Sequence, residues 1–273
     1  MSWPTVSCIC ITRNRRIFLR QAIQYFIKAA RQYPGIAQLG ILDGSEEKPR
    51  LPAAHYAWYH NDYYGNLISY FHEPSYLRAG LAHNMACEHW PGDIIIQWDD
   101  DDWQSPMRIL RQVQTLLEAP GDAFAYTSCY YWYHLQQRQA CKAKSWEGGE
   151  GSTGATFAYW RETWKKTPFE DIPVGEDVPF QRALQERGCP MLDAKDPSLL
   201  VYVRHNQNGS ALTNYAWNEN DTREARRLMG GDVDFYDGIG ELLPVANWNH
   251  PNAPGSKMHV MNPLQQAWSR HFK

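Results

Sequence analysis

The stretch Gly92 to Trp103, GDIIIQWDDDDW, constrains this chain more than any other. Asp93 to Trp98 holds three consecutive isoleucines and suits a short strand covered on both faces, as in a parallel sheet. Four carboxylates, Asp99 to Asp102, follow without a break. Such a run repels itself unless a cation or shared protons neutralise it. At the carboxyl end of a central strand, it falls where open α/β sheets bind ligands. That chemistry points to a hard divalent cation, Mn²⁺ or Mg²⁺, holding a diphosphate. The plain alternative is a solvated acidic turn. An EF-hand loop does not fit, because no glycine stands sixth and no glutamate twelfth from any of the four aspartates.

The rest of the chain supplies a sheet for that strand. Val6 to Ile11 reads as a first strand and Thr12 to Arg16 as the turn after it. Leu19, Ala22, Ile23, Phe26 and Ile27 then recur at helical spacing until Pro34-Gly35. Leu39 to Leu42 is a second strand closed by Asp43-Gly44-Ser45, which makes a right-handed βαβ unit. An acidic residue there, Asp43, is placed to bind a nucleoside, with a simple turn aspartate as the alternative. No G-x-G-x-x-G follows the first strand and no G-x-x-x-x-G-K-[ST] occurs, which argues against a Rossmann dehydrogenase and a P-loop enzyme.

Lys48 to Asn66 is irregular and aromatic, Ile68 to Phe71 a third strand, and Leu77 to His89 a helix. Ser105-Pro106 opens a helix to about Leu117, with Met107, Leu110, Val113 and Leu117 inward. Ala123 to Leu135 reads as a strand or hairpin, Lys142 to Gly154 as a loop, Ala155 to Trp160 as a strand and Arg161 to Lys166 as a short helix. Pro173 to Asp177 leads into a helix stopped by Gly188, and Leu199 to Val203 is the last strong strand. Beyond Tyr215 the chain turns polar, with Asp221 to Glu224 as a capping box and the remainder an extension or lid. Residues 1–215 are thus expected to form one domain, with 216–273 as the extension. One or both of the loop and the extension are expected to order over a bound ligand.

Composition narrows the partners. A formal net charge of −3 gives no general basic field for nucleic acid or membrane, although Arg13, Arg15, Arg16 and Arg20 cluster locally. None of the six cysteines forms C-x-x-C, so free thiols in a reducing compartment are expected. No run approaches the roughly 20 apolar residues of a membrane span, and Val6 to Ile11 is too short for a signal-peptide core. A soluble, cytoplasmic protein is the expectation.

Five segments, in order, carry a family resemblance. They are Cys10-Ile-Thr-Arg-Asn-Arg15; Leu42-Asp43-Gly44-Ser45; Ala82-His83-Asn84 with the Trp98 to Trp103 run; Gly175-Glu176-Asp177; and Val203-Arg204-His205-Asn206 with Asn208 and Ser210. Together the chain resembles the inverting, nucleotide-sugar glycosyltransferases of family 2, with a GT-A type fold: a Rossmann-like mixed sheet flanked by helices. It departs from them at Cys10, where a proline is usual, and at His83, where an arginine is usual. It also lacks the later Q-x-x-R-W motif of many processive synthases, which points to transfer of a single sugar.

The resemblance implies roles, with residues 1–103 as the nucleotide-binding half of the domain and 104–215 as the acceptor half. Thr12, Arg13, Asn14, Arg15, Asp43, Arg78 and Asn84 would bind the nucleotide sugar together with Asp99, Asp100 and Asp102, with Asp43 on the base, commonly uracil. Asp101 would be the nearer metal ligand, Asp99 a second and His205 a third. Asp177 would be the general base and Glu176 the second choice, with helix capping the alternative for Asp177. The donor would be UDP-linked and the acceptor a saccharide or lipid-linked glycan. Hydroxylated DNA bases are a further acceptor class, and a non-catalytic sugar-binding module is a different class of function. The intact D-x-D and E-D pairs speak against that last class.

Overall fold

Two sheets carry the fold in the computed structural model, which describes residues 2–46, 67–74, 78–143, 153–205 and 217–242. In the first, β1 (Val6–Thr12), β2 (Ala37–Asp43) and β3 (Ile68–His72) run parallel, with α1 (Arg16–Ala30) crossing between the first two. β1 and β2 are apolar on both sides and buried nearly throughout, as strands covered by helices on both faces must be. After α2 (Ala79–His89) the chain returns to the far side of β1. There β4 (Ile94–Gln97) pairs in parallel, Cys8 opposite Ile96. The strand order therefore reverses between β1 and β4, which opens a crevice at their carboxyl ends.

β5 (Trp103–Gln104) follows the aspartates, then α3 (Arg108–Leu116) and β6 (Phe124–Tyr126). β7 (Tyr131–His134) and β8 (Gln139–Lys142) form an antiparallel hairpin. β9 (Ala158–Trp160) inserts antiparallel between β4 and β6 and runs into α4 (Arg161–Lys166). α5 (Asp177–Glu186), β10 (Met191–Asp193) and β11 (Leu200–Arg204) come next. Among the described residues the strands order as β10-β6-β9-β4-β1-β2-β3 and β5-β11-β7-β8. Asp99 to Asp102 thus join one sheet to the other.

Several expectations need correcting. Ala123 to Leu135 is not one strand or hairpin: β6 belongs to the first sheet and β7 to the second, where it pairs with β8. In α3 the inward positions are Ile109, Val113 and Leu116, with Arg108 and Gln112, while Leu117 is 43% exposed. The helix is turned because the Arg108 guanidinium finds buried carbonyl partners and draws its own face inward. Ser105 caps the turn before α3, its Oγ accepting from Met107 N–H at 3.2 Å. The box expected at Asp221 lies one turn earlier. Asn218 caps α6 (Glu219–Met229) and accepts from Asp221 N–H at 2.8 Å. After α6 comes α7 (Val233–Leu242). Ala225, Met229, Val233, Tyr236 and Ile239 from these two helices join the main core, so this part of the expected extension is packed against the second sheet and α1.

All six cysteines are unpaired thiols. Among the described residues no helix is long and apolar enough to cross a membrane. The irregular stretch 48–66, Leu77, most of the 142–154 loop, Asn206, Asn208, Ser210 and the tail after 242 lie outside the described residues.

Candidate active site at the carboxyl ends of β1 and β4

The turns leaving β1 and β4 meet at the crevice. Thr12, the last residue of β1, donates from Oγ1 to Asp100 Oδ2 at 2.5 Å. Asn14 takes a left-handed φ of 56° and gives its N–H to Ser45 Oγ at 2.8 Å. That bend turns Arg15 back over the carboxylates. Its Nη1 donates to Asp100 Oδ1 at 2.9 Å and to Asp101 Oδ2 at 2.7 Å. The same Asp101 oxygen stands 3.0 Å from Nε2 of His205, which is fully buried just after β11 with its ring stacked on Phe18. Asp102 Oδ1 accepts from Val203 N–H at 2.8 Å, and its other oxygen is buried with no hydrogen-bond partner among the described residues.

Asp99, Asp101 and Asp102 each present one oxygen to a common point, all within 4.8 Å of one another. Burial, with Asp101 and Asp100 close by, pushes the Asp99 carboxyl up to about 7. Burial also raises Asp100 against the pull of Arg15, and lifts Asp102 well above the carboxylate range. Asp101 goes the other way: its burial is outweighed by Arg15 and His205, which hold it at about 2. A cluster so divided keeps protons or takes a cation. Three neighbouring carboxylates, one of them with a buried oxygen that has no hydrogen-bond partner among the described residues, fit a hard divalent cation. His205 lies outside that trio and touches it through Asp101.

Sequence reasoning missed Arg108. Fully buried, it donates from Nη2 to the carbonyls of Gln97 (2.6 Å) and Ala155, from Nη1 to Gln104 Oε1, and from Nε to Gln112 Oε1 at 3.1 Å. Its charge faces Asp99 and Asp102, and burial lowers its pKa to about 10. The available signal was the pair Arg108 and Gln112, four apart beside the stripe Ile109, Val113 and Leu116.

Asp177 is the first residue of α5, and its cap position is Glu176, with no side-chain cap. Asp177 accepts at Oδ2 from Gly154 N–H and at Oδ1 from Val178 N–H, both at 3.0 Å. A Cβ on Gly154 would lie 2.9 Å from Gln97 Oε1 and 3.3 Å from Asp177 Cβ. Asp177 therefore sits beside the end of β4, where the acidic run begins.

Other expected site residues are engaged elsewhere. Asp43 accepts at Oδ1 from Ser45 N–H (2.8 Å) and hydroxyl, and at Oδ2 from Tyr70 at 2.6 Å. Arg13 reaches Glu46 at 3.5 Å and Arg78 reaches Asp171 at 3.6 Å. Asn84 holds Phe169 through both backbone groups (N–H 3.0 Å, C=O 2.8 Å) and accepts from Trp164 Nε1 at 2.9 Å.

Residues 7–170 match the family model described as glycosyl transferase family 2. A crystal structure of GalNAc-T7 with UDP, GalNAc and Mn²⁺ is similar with a TM-score of 0.58 and 12% identity, over 86% of this chain and 50% of that one. This chain therefore spans half the length of that structure, and the likeness is one of fold, GT-A type. No curated protein matches the chain.

Proposed function

The chain belongs to glycosyl transferase family 2, and from that premise we propose that it moves a sugar, with inversion, from a nucleotide-sugar donor, UDP-linked in the simplest case, to an acceptor hydroxyl on a saccharide or lipid-linked glycan. The observation that carries this is the placing of Asp99, Asp101 and Asp102 at the β1–β4 switch point with Asp177 beside the same strand. The structure of GalNAc-T7 with UDP, GalNAc and Mn²⁺ supports a metal-assisted donor site in this fold.

Asp99, Asp101 and Asp102 would hold Mn²⁺ or Mg²⁺, which when bound supplies charge neutralisation for a departing diphosphate. Arg15 and His205 fix the Asp101 oxygen between them. Thr12 and Arg15 engage both oxygens of Asp100. Asp43, at the end of β2, is the base-binding candidate. Asp177 accepts the proton of the attacking hydroxyl, and the N-terminus of α5 favours its ionised form.

The test is a pair of substitutions assayed on a panel of nucleotide sugars with Mn²⁺. Asp177→Asn keeps the shape but cannot take the proton. It is expected to leave donor affinity within a few fold and to lower turnover by at least ~10²-fold. Asp101→Ala is expected to abolish donor binding, as is a chelator. Full turnover in chelator, or a near wild-type rate in Asp177→Asn, overturns the assignment concerned.

A further inference from the structure

The first turns of α2 grip the segment that delivers Glu176 and Asp177. Ala79 and Gly80 give their N–H groups to the carbonyls of Pro173 (3.3 Å) and Ile172 (3.2 Å). The two backbones approach so closely that a Cβ on Gly80 would lie 1.7 Å from Glu170 O. Asn84 holds Phe169 and Trp164 one turn on. Between them stands His83, largely buried and packed on the Phe169 ring at 4.9 Å.

His83 Nδ1 lies 3.0 Å from Ala79 O and 3.3 Å from Glu176 Oε1. Nδ1 hydrogen-bonds to the Ala79 carbonyl, which only accepts, so this nitrogen carries the proton, with the Glu176 carboxylate beside it at ion-pair distance. The neutral ring then has its lone pair at Nε2. Glu176 occupies the cap position of α5 yet does not cap it: its carboxylate turns to His83 instead. We propose that His83 is a positioning residue: anchored by Nδ1–H on Ala79 O, it presents the same ring edge to Glu176 at 3.3 Å and so sets the Glu176-Asp177 pair against the donor site. No other side chain in α2 donates to this pair among the described residues. The kinetic part of the proposal rests on the sugar-transfer function above. The tautomer part does not.

The tautomer is read by ¹⁵N–¹H correlation of the His83 ring in the full chain at about pH 8, above the ordinary histidine range. The Nδ1–H form is expected, and the Nε2–H form overturns the proposal whatever the enzyme does. Kinetics use UDP-sugars with Mn²⁺ and water as acceptor. His83→Ala is expected to lower kcat roughly 10-fold, the scale of a small misplacement, with donor KM and Mn²⁺ affinity unchanged. His83→Asn places an amide N–H where Nδ1 was and is expected to recover most of kcat. His83→Gln, which mimics Nε2, is not. Recovery by Gln but not Asn transfers the role to Nε2 and overturns the proposal, as does an unchanged kcat in His83→Ala. If the wild type turns over no donor, the transfer function falls. The contact is then decided by a His83→Ala/Glu176→Ala cycle in thermal unfolding: non-additivity supports it and additivity overturns it.

Discussion

At the residue scale, the acidic run works by holding protons and charges in unequal shares. Asp101 is kept ionised by Arg15 and His205, whereas Asp99 titrates at about 7. A raised carboxyl pKa means a proton held below that pH, which an incoming cation must displace. Mn²⁺ titrated calorimetrically near neutral pH, in two buffers of different ionisation enthalpy, is therefore expected to release at least roughly half a proton per ion. Affinity is expected to weaken as the pH falls below 7. Heats that do not depend on the buffer would remove this account. The stability sign follows from the same shift. A buried carboxyl raised above its unfolded value of about 3.9 destabilises the fold above that pH. Asp99→Asn should raise the melting temperature of the metal-free protein at pH 7 and abolish the further rise that Mn²⁺ brings. The clustering of the four aspartates at the end of β4 was legible in sequence. Their division of labour was not, because it depends on Arg15 returning over them and on Val203 and His205 arriving from a strand about a hundred residues later.

At the element scale, what sequence patterns revealed depended on whether a segment's burial followed its own periodicity. β1, β2, β4 and α1 are apolar where they are covered, and they lie where the pattern put them. α3 misleads because a cation is part of its buried face. Arg108→Met should leave the Gln97 and Ala155 carbonyls without their donor and remove the charge facing Asp99 and Asp102. Urea unfolding is expected to show a loss of about 3 kcal/mol or more, the usual result of breaking one side of a buried charged network. A loss below about 1 kcal/mol would mean that the carbonyls find other partners. α6 misleads differently, since two capping patterns overlap in sequence and only geometry chooses between them. Asn218→Ala is expected to cost about 1 kcal/mol, whereas Glu224→Ala, whose carboxylate reaches only Arg227 among the described residues, should leave the urea midpoint where it is. The reverse ranking would restore the cap at Asp221.

At the scale of the whole molecule, one apolar core joins the two sheets to the last described helices. Ile96 from the first sheet and Trp98 just after β4, Tyr133 and Val203 from the second sheet, and Met229 and Tyr236 from α6 and α7 belong to the same cluster. None of this was visible in the local pattern. The second sheet pairs short strands far apart in sequence, Leu200 with Gln104 and Val201 with Tyr131, and short strands leave little periodicity to read. Polar links repeat the connection. Tyr133 donates to Asp237 at 2.6 Å, Arg226 closes on the same carboxylate at 3.1 Å, and Trp103 Nε1 donates to Asp232 at 3.1 Å. Trp103 directly follows Asp102, so the helices brace the strand on which the acidic run ends. A chain cut after Trp217 loses the core residues of α6 and α7 and both anchoring carboxylates at once. It is expected to unfold without a cooperative transition and to show no stabilisation by Mn²⁺, because the oxygens of Asp99, Asp101 and Asp102 would no longer be held to one point. Thermal unfolding with and without Mn²⁺ decides it. A shortened chain with the full-length midpoint and the full-length response to Mn²⁺ would show that α6 and α7 only cover a site that β1, β4 and β11 already hold in place.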